Sequence, residues 1–265
     1  MSESNLTVQV LVSTMNQSDK SLVDKMNIQT DAIIVNQCNE FGVDLQDHKG
    51  HAIQWLHFAE RGVGLSRNNA LMRSKADILL FADDDMVYYD GYASVVRELF
   101  SKNPDVDIVI FNIDEPTQTR RRNTKAHYTK KCGYGAARLA VRRQSVMMHG
   151  ILFNLSFGGG TQFSCGEDTL FLRECVKKGL KIYAVPQSIA VLTEERESTW
   201  FKGYTDKYFM DQGVLLKISG FLFVRLRALK KAYSDQKRYN KSWIYLYKLY
   251  LRGIQFVEQR QFLNS

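Results

Sequence analysis

Short runs of apolar and β-branched residues recur through the first 113 residues, and helix-like segments separate several of them. The runs are residues 7–13 (TVQVLVS), 31–37 (DAIIVNQ), 52–58 (AIQWLHF), 77–82 (DILLFA) and 105–113 (DVDIVIFNI). Each reads as a strand. Between the third and fourth, a helix is expected from Ser66, a good N-cap residue, through RNNALMRSK. Residues 92–102 (YASVVRELFSK) read as another helix, closed by Asn103 and Pro104. Strands alternating with helices imply βαβ units and a largely parallel sheet, which binds its ligands at the carboxyl ends of the strands. The length of 265 residues suits one large α/β domain, alone or with a helical appendage.

The second half is less regular. Residues 114–144 are irregular and basic, with the run TRRRNTKAHYTKK, and residues 157–168 (FGGGTQFSCGED) form a Gly-rich loop. A helix, DTLFLRECVKK, follows with Gly179 placed to end it, and LKIYAVP is a short strand. Beyond residue 198 the composition shifts to the aromatic stretch STWFKGYTDKYFMDQG and then to two or three basic amphipathic helices. The expected division is a catalytic domain over 1–197 and a helical extension over 198–265.

The formal charge of +8 favours anionic partners without choosing among them. Four cysteines, Cys38, Cys132, Cys165 and Cys175, show no C-x-x-C spacing, which argues against a disulfide scaffold and fits a reducing cytosol. The N-terminal MSESNLTVQVLVSTMN lacks the basic and apolar regions of a signal peptide. GVLLKISGFLFVRLRAL is interrupted by Lys217, Arg225 and Arg227 and is a poor membrane span. A cytoplasmic location is expected, at the inner face of the cell membrane if the tail binds lipid.

Three segments carry chemistry. Asp83, Asp84 and Asp85 end the apolar run ILLFADDD. Alone, the triplet reads equally well as a solvated acidic turn. At the end of a rigid strand, its carboxylates suit Mg²⁺ or Mn²⁺ shared with substrate phosphates. ERGVGLSRNNAL offers Gly62 and Gly64 for close backbone approach, a helix N-terminus for an anion, and Arg67 for a phosphate. Without its companions it is an ordinary loop-to-helix junction. CGEDTLFL places Glu167 and Asp168 at a helix start, where acidic residues are favoured electrostatically and where a carboxylate could also act as a general base.

Taken together and in order, STMN, GVGLSRNNAL, LLFADDDMVY and GEDTLFL resemble the motifs of family two glycosyltransferases, over roughly residues 7–195. The chain is most similar to the bacterial enzymes that build capsular and other surface polysaccharides. The resemblance implies a GT-A fold: α/β, with a Rossmann-like, mixed but mostly parallel sheet flanked by helices. It implies inverting transfer of a sugar from a nucleotide diphosphate donor, with UDP favoured, to a hydroxyl of a saccharide or lipid-linked saccharide acceptor. Under it Asp168 is the catalytic base, supported by Glu167, and Asp85 is the metal ligand. Asp83 and Asp84 face ribose and diphosphate, with Asp83 assisting the Mn²⁺ or Mg²⁺. Arg67 lies by the nucleotide, and Thr14 and Asn16 line its base and ribose. The family's acidic VDDGS-like turn is replaced here by VNQCNE, where Asn36, Gln37 and Asn39 offer amide hydrogen bonds instead.

Three rival readings stand beside this one. A sugar-phosphate nucleotidyltransferase would share the core and the metal, but its Gly-rich basic loop is missing after VQVLVSTMN. A nucleic-acid-binding protein would use the basic run, yet no nucleic-acid module surrounds that run and no nucleic-acid partner is expected. An inactive sugar-binding relative would not need the intact carboxylates. The tail, LLKISGFLFVRLRALKKAY, reads first as a helix packed on the catalytic domain. Peripheral binding to an anionic membrane is the second reading, and a homodimer contact through Trp243, Tyr245 and Tyr247 the third.

Overall fold

The structure is a computed structural model and describes residues 6–115, 123–193 and 203–263. Arg120, Arg121 and Arg122 of the basic run and residues 198–202 of the aromatic stretch lie outside the described residues. By element, the chain runs β1 (Val8–Met15), α1 (Leu22–Lys25), β2 (Asp31–Gln37), β3 (Gly42–His48), β4 (His51–Phe58), α2 (Val63–Arg73), β5 (Ile78–Asp83), β6 (Met86–Tyr88) and α3 (Tyr92–Lys102). It continues with β7 (Ile108–Asp114), β8 (His127–Tyr128), a short 3-10 turn (Ala136–Arg138), β9 (Leu139–Arg142), α4 (Arg143–Met148), α5 (Glu167–Lys177) and β10 (Ile182–Leu192). Three helices follow, α6 (Asp206–Ile218), α7 (Val224–Tyr239) and α8 (Trp243–Leu263).

The strands form one mixed sheet in the order β3-β4-β2-β1-β5-β9-β7-β10-β6, with β8 paired to β10. β4, β2, β1 and β5 run parallel to one another, and β7 runs parallel to β10. The α/β architecture and mostly parallel core match the expectation. β1, β2, β5 and β7 are buried along nearly their whole length because helices cover both faces. Two apolar clusters occupy the two faces: one around Val10, Trp55, Leu80, Tyr92 and Phe111, the other around Leu11, Phe81, Leu139, Phe153 and Phe171. Each fully buried large aliphatic side chain contributes roughly 2 kcal/mol.

Four strands were absent from the sequence reading: the short β6 and β8, and β3 and β9. β3 is an antiparallel edge strand with exposed Val43 and Leu45. β9 lies antiparallel between β5 and β7, inside the stretch expected to be irregular. β10 is also longer than LKIYAVP and continues past Pro186 through a register shift.

The chain divides into two compact units: Met1–Leu155 with Asp168–Glu197, and Ser156–Glu167 with Ser198–Ser265. The Gly-rich loop thus groups with the C-terminal helices. That second unit has its own apolar cluster of Phe209, Ala228, Ala232, Leu246, Leu249, Tyr250 and Ile254. No helix among the described residues is long and apolar enough to cross a membrane.

Candidate active site

The chain leaves β1 toward β2 and later returns to pair β5 on the other side of β1. Strand order therefore reverses at β1, and open α/β sheets bind their ligands beyond the carboxyl ends of the strands at such a point. Ser13 of β1 stands in register with Asp83 of β5, so Thr14 and Asp84 meet one step beyond. The Thr14 hydroxyl donates to Asp84 Oδ2 at 2.5 Å, and Gln17 Nε2 donates to Thr14 Oγ1 at 2.8 Å. Asn36 Oδ1 accepts from the Gln17 amide, and Asn36 Nδ2 donates to the Gln17 carbonyl, both at 3.0 Å. The residue after β1, Asn16, has φ 52, a left-handed turn that Asn tolerates, and its amide donates to the Gln37 carbonyl. Gln37 Oε1 accepts from the Gly62 amide at 2.7 Å, joining the end of β2 to the start of α2.

α2 corrects one expectation. It begins at Val63, not at Ser66, and Gly62 with φ 137 forms the cap. Ser66 lies inside the helix, buried, and its hydroxyl donates to Ser13 Oγ at 2.9 Å. Gly64 is required for packing, since a Cβ there would lie 2.8 Å from the Asn154 carbonyl oxygen.

Helical periodicity then aims Arg67 inward. It precedes the buried pair Ala70 and Leu71 by three and four positions, on the face that packs against the sheet. Asn68 clamps the backbone of Phe153 through its amide and carbonyl. Phe153 stacks on Phe171 at 4.3 Å and meets Phe81 edge-on, and the Arg67 guanidinium lies 5.4 Å from its ring centre. On α5, residues 168, 171, 172 and 175 share one face. The last three are buried apolar anchors, and Asp168 is carried to the same side.

Arg67 Nη1 donates to Asp168 Oδ1 at 2.7 Å, and Nη2 donates to Asp83 Oδ1 at 2.8 Å. Arg67 as a whole is 3% exposed. A planar fork of this kind binds two carboxylates in fixed directions, which a Lys ammonium does not. Asp168 Oδ2 faces Gly135 from the neighbouring loop. Thus Thr14, Gln17, Asp83, Asp84, Arg67 and Asp168 form one connected group, although the two acidic motifs lie 85 positions apart (83 to 168).

Other candidates sit differently. The Asp85 backbone carbonyl accepts both the amide and the hydroxyl of Thr193, which fixes the end of the triplet against β10. Asn39 accepts from Arg61 at 2.9 Å. In the second unit, Glu167 Oε2 accepts from the Gly166 amide at 3.1 Å. The neighbouring Cys165 thiol is pushed up by burial and then by the Glu167 charge, so it stays protonated and is a poor nucleophile. Tyr88, wholly buried behind the triplet and stacked on Tyr92, has its hydroxyl pushed well above the ordinary range by burial first and by Tyr92 and Asp83 next.

Gln17 and Asp211 were missed by sequence reasoning. Gln17 belongs to no motif. Asp211 of α6 is buried and accepts the Ser164 amide at 3.0 Å, the Ser164 hydroxyl at 2.9 Å and the Lys207 ammonium at 2.7 Å. Its only sequence signal is an acidic residue amid apolar neighbours in KYFMDQG.

The sequence model of glycosyl transferase family 2 matches residues 17–180. Among solved structures, S. aureus TarS 1–349 in complex with UDP-GlcNAc is similar at a TM-score of 0.60 and 12% identity, over 89% of this chain and 74% of that one. S. aureus TarS 1–349 in complex with UDP gives 0.57 at 12% identity, over 89% and 73%. A third S. aureus TarS structure gives 0.57 at 12% identity, with 89% of this chain covered but 44% of that one. At this identity the likeness is one of fold. No curated protein matches the chain.

Proposed function

The chain belongs to glycosyl transferase family 2, whose model spans more than half of it, and on that premise we propose that it moves a sugar from a nucleoside diphosphate donor to an acceptor hydroxyl with inversion. The observation that carries this reading is the Arg67 fork. It ties the carboxylate ending β5 to the carboxylate opening α5 at the carboxyl edge of a parallel sheet. The neighbours of similar fold hold UDP-GlcNAc and UDP, which supports a uridine donor here.

In this reading Thr14, Asn16, Asn36 and Gln37 line the nucleoside, with Thr14, Asn36 and Gln37 already ordered by hydrogen bonds to Asp84, Gln17 and the Thr14 carbonyl respectively. Asp168 takes the proton of the acceptor hydroxyl as that oxygen attacks the anomeric carbon, while the bond to the diphosphate breaks on the opposite side. One displacement inverts the configuration. Arg67 keeps Asp168 oriented, so that its lone pairs point consistently at the incoming hydroxyl. Glu167 steadies the helix start.

Among the described residues, no group of three or more His, Cys, Asp or Glu side chains is arranged to hold a metal ion. Asp83 gives one oxygen to Arg67, and Asp84 gives one to Thr14. Such a sparse donor set fits Mg²⁺ or Mn²⁺, which binds through one or two carboxylates when a diphosphate completes its shell. Asp85 and Asp83 would hold it, and the ion would supply Lewis-acid stabilisation of the departing diphosphate. The acceptor in this reading is a saccharide or lipid-linked saccharide of a surface polysaccharide.

The test pairs two variants with a panel of nucleotide sugars. Asp168→Asn is expected to lower transfer by about 1,000-fold and to leave UDP affinity within about twofold. Asp85→Ala is expected to abolish the Mn²⁺ response. Normal transfer by the first variant would remove Asp168 as the base, and undiminished activity in excess EDTA would remove the metal.

A further inference from the structure

The turn before α7 and the outer face of that helix have no part in the proposed transfer. Leu222 and Phe223 are 83% and 78% exposed, and Leu226 and Tyr233 are 64% and 66% exposed. Residues 226, 230, 233 and 237 recur at spacings of four, three and four, which places them on one side of the helix. That side reads Leu, Lys, Tyr, Lys. Ala228, Ala232 and Asp235 are buried on the opposite side. Asp235 is the one acidic residue of α7. Its carboxylate accepts from the Tyr250 hydroxyl and pairs with Lys231, so it does not offset the outer charge. Phe223, which caps the helix, has φ 54, a strained conformation for an aromatic residue that has no Gly-like freedom.

Apolar side chains at a helix tip, continued by a stripe of lysines, match a bilayer interface. There leucine and phenylalanine enter the boundary below the headgroups, and ammonium groups meet lipid phosphates. Leu222 and Leu226 offer nothing to nucleic acid, which uses cations and aromatic stacking. A second copy of the same face would bring like charges together.

We propose that the α6–α7 turn and the outer face of α7 dock on an anionic phospholipid bilayer. Its use, bringing the enzyme to a lipid-linked acceptor, rests on the transfer reading above; the docking itself does not.

The full chain is sedimented with vesicles of phosphatidylcholine alone and with about one quarter phosphatidylglycerol, at low and high salt, with UDP binding measured in parallel. Binding is expected only with the anionic vesicles at low salt. Leu222→Ser with Phe223→Ser, and separately Lys230→Glu with Lys237→Glu, are each expected to weaken it at least about tenfold. Both pairs lie on the surface and are expected to keep native circular dichroism and wild-type UDP affinity. Loss of UDP binding in the wild type would overturn the donor reading and leave docking standing. Docking is overturned by no sedimentation with anionic vesicles at low salt. It is also overturned by undiminished binding of the Leu222/Phe223 variant, by binding to RNA in place of vesicles, or by a dimer that the same variant dissolves.

Discussion

Arg67 is the residue at which the two acidic motifs meet, and its chemistry is specific to a guanidinium. Two nitrogens of one planar group reach two carboxylates at 2.7 and 2.8 Å while the ring of Phe153 covers its face. Arg67→Ala leaves Asp83 and Asp168 without that partner in a part-buried setting and is expected to lower the unfolding free energy by about 3 kcal/mol, read from urea titration. Arg67→Lys restores a charge but cannot bridge both carboxylates. It is expected to recover most of that stability while kcat stays about 100-fold down. Equal recovery of stability and kcat would mean that orientation of Asp168 does not matter. Asp83, Asp84, Asp85 and Asp168 could be picked out from the sequence because carboxylates after an apolar strand and at a helix start have a chemical meaning. The destination of Arg67 could not, because its partners are decided by how α2 and α5 lie on the sheet. Gln17 was hidden for the same reason: its value comes from facing Thr14 and Asn36, and the sequence around it carries no pattern.

At the scale of elements, the parallel strands were legible and the antiparallel insertions were not. β2 and α3 begin and end where the apolar runs and the Asn-Pro stop place them. β9 is four residues long and sits in a basic, irregular stretch; only its neighbours β5 and β7 make it a strand. β3 exposes Val43 and Leu45 at the edge of the sheet, so it lacks the buried run that marked the others. α6 was visible as an aromatic segment, but its relation to the loop of residues 156–167 was not. Asp211 accepts Ser164 twice, Gln212 donates to Cys165 Sγ, and Gly166 with φ 121 packs against Leu215. This element therefore fixes the segment of the second unit that ends at Glu167, and under the transfer proposed above Asp211 acts as a positioning residue. Asp211→Ala is expected to lower kcat about tenfold with donor KM within about twofold, and Asp211→Asn, which keeps an acceptor oxygen, to restore most of the loss. A parallel change in kcat and KM, unrescued by Asn, would reduce Asp211 to a stabilising role.

For the whole molecule, the informative feature is that the apolar clusters respect the two units. Two clusters lie on the faces of the sheet and a third lies among α6, α7 and α8. The third depends on a close crossing of α6 and α8 at Gly213 and Gly253. A Cβ on Gly253 would overlap the Met210 carbonyl, and one on Gly213 would overlap the Tyr250 carbonyl. Because backbone stands in the way at both places, rotamer change cannot relieve the clash and the helices must separate. Gly253→Ala is therefore expected to cost the second unit about 3 kcal/mol, far more than the gain in helix propensity from removing a glycine, which is about 1 kcal/mol. Chains with separate cores need not unfold in one step. Hydrogen exchange on this variant is expected to show amides of α6 and α8 losing protection while those of β1, β2 and β5 keep theirs. Transfer should fall, since Asp211 and Leu215 no longer hold the loop before Asp168, and UDP binding should persist on the intact sheet. Uniform loss of protection across both units would mean that they share a single cooperative core despite their separate clusters.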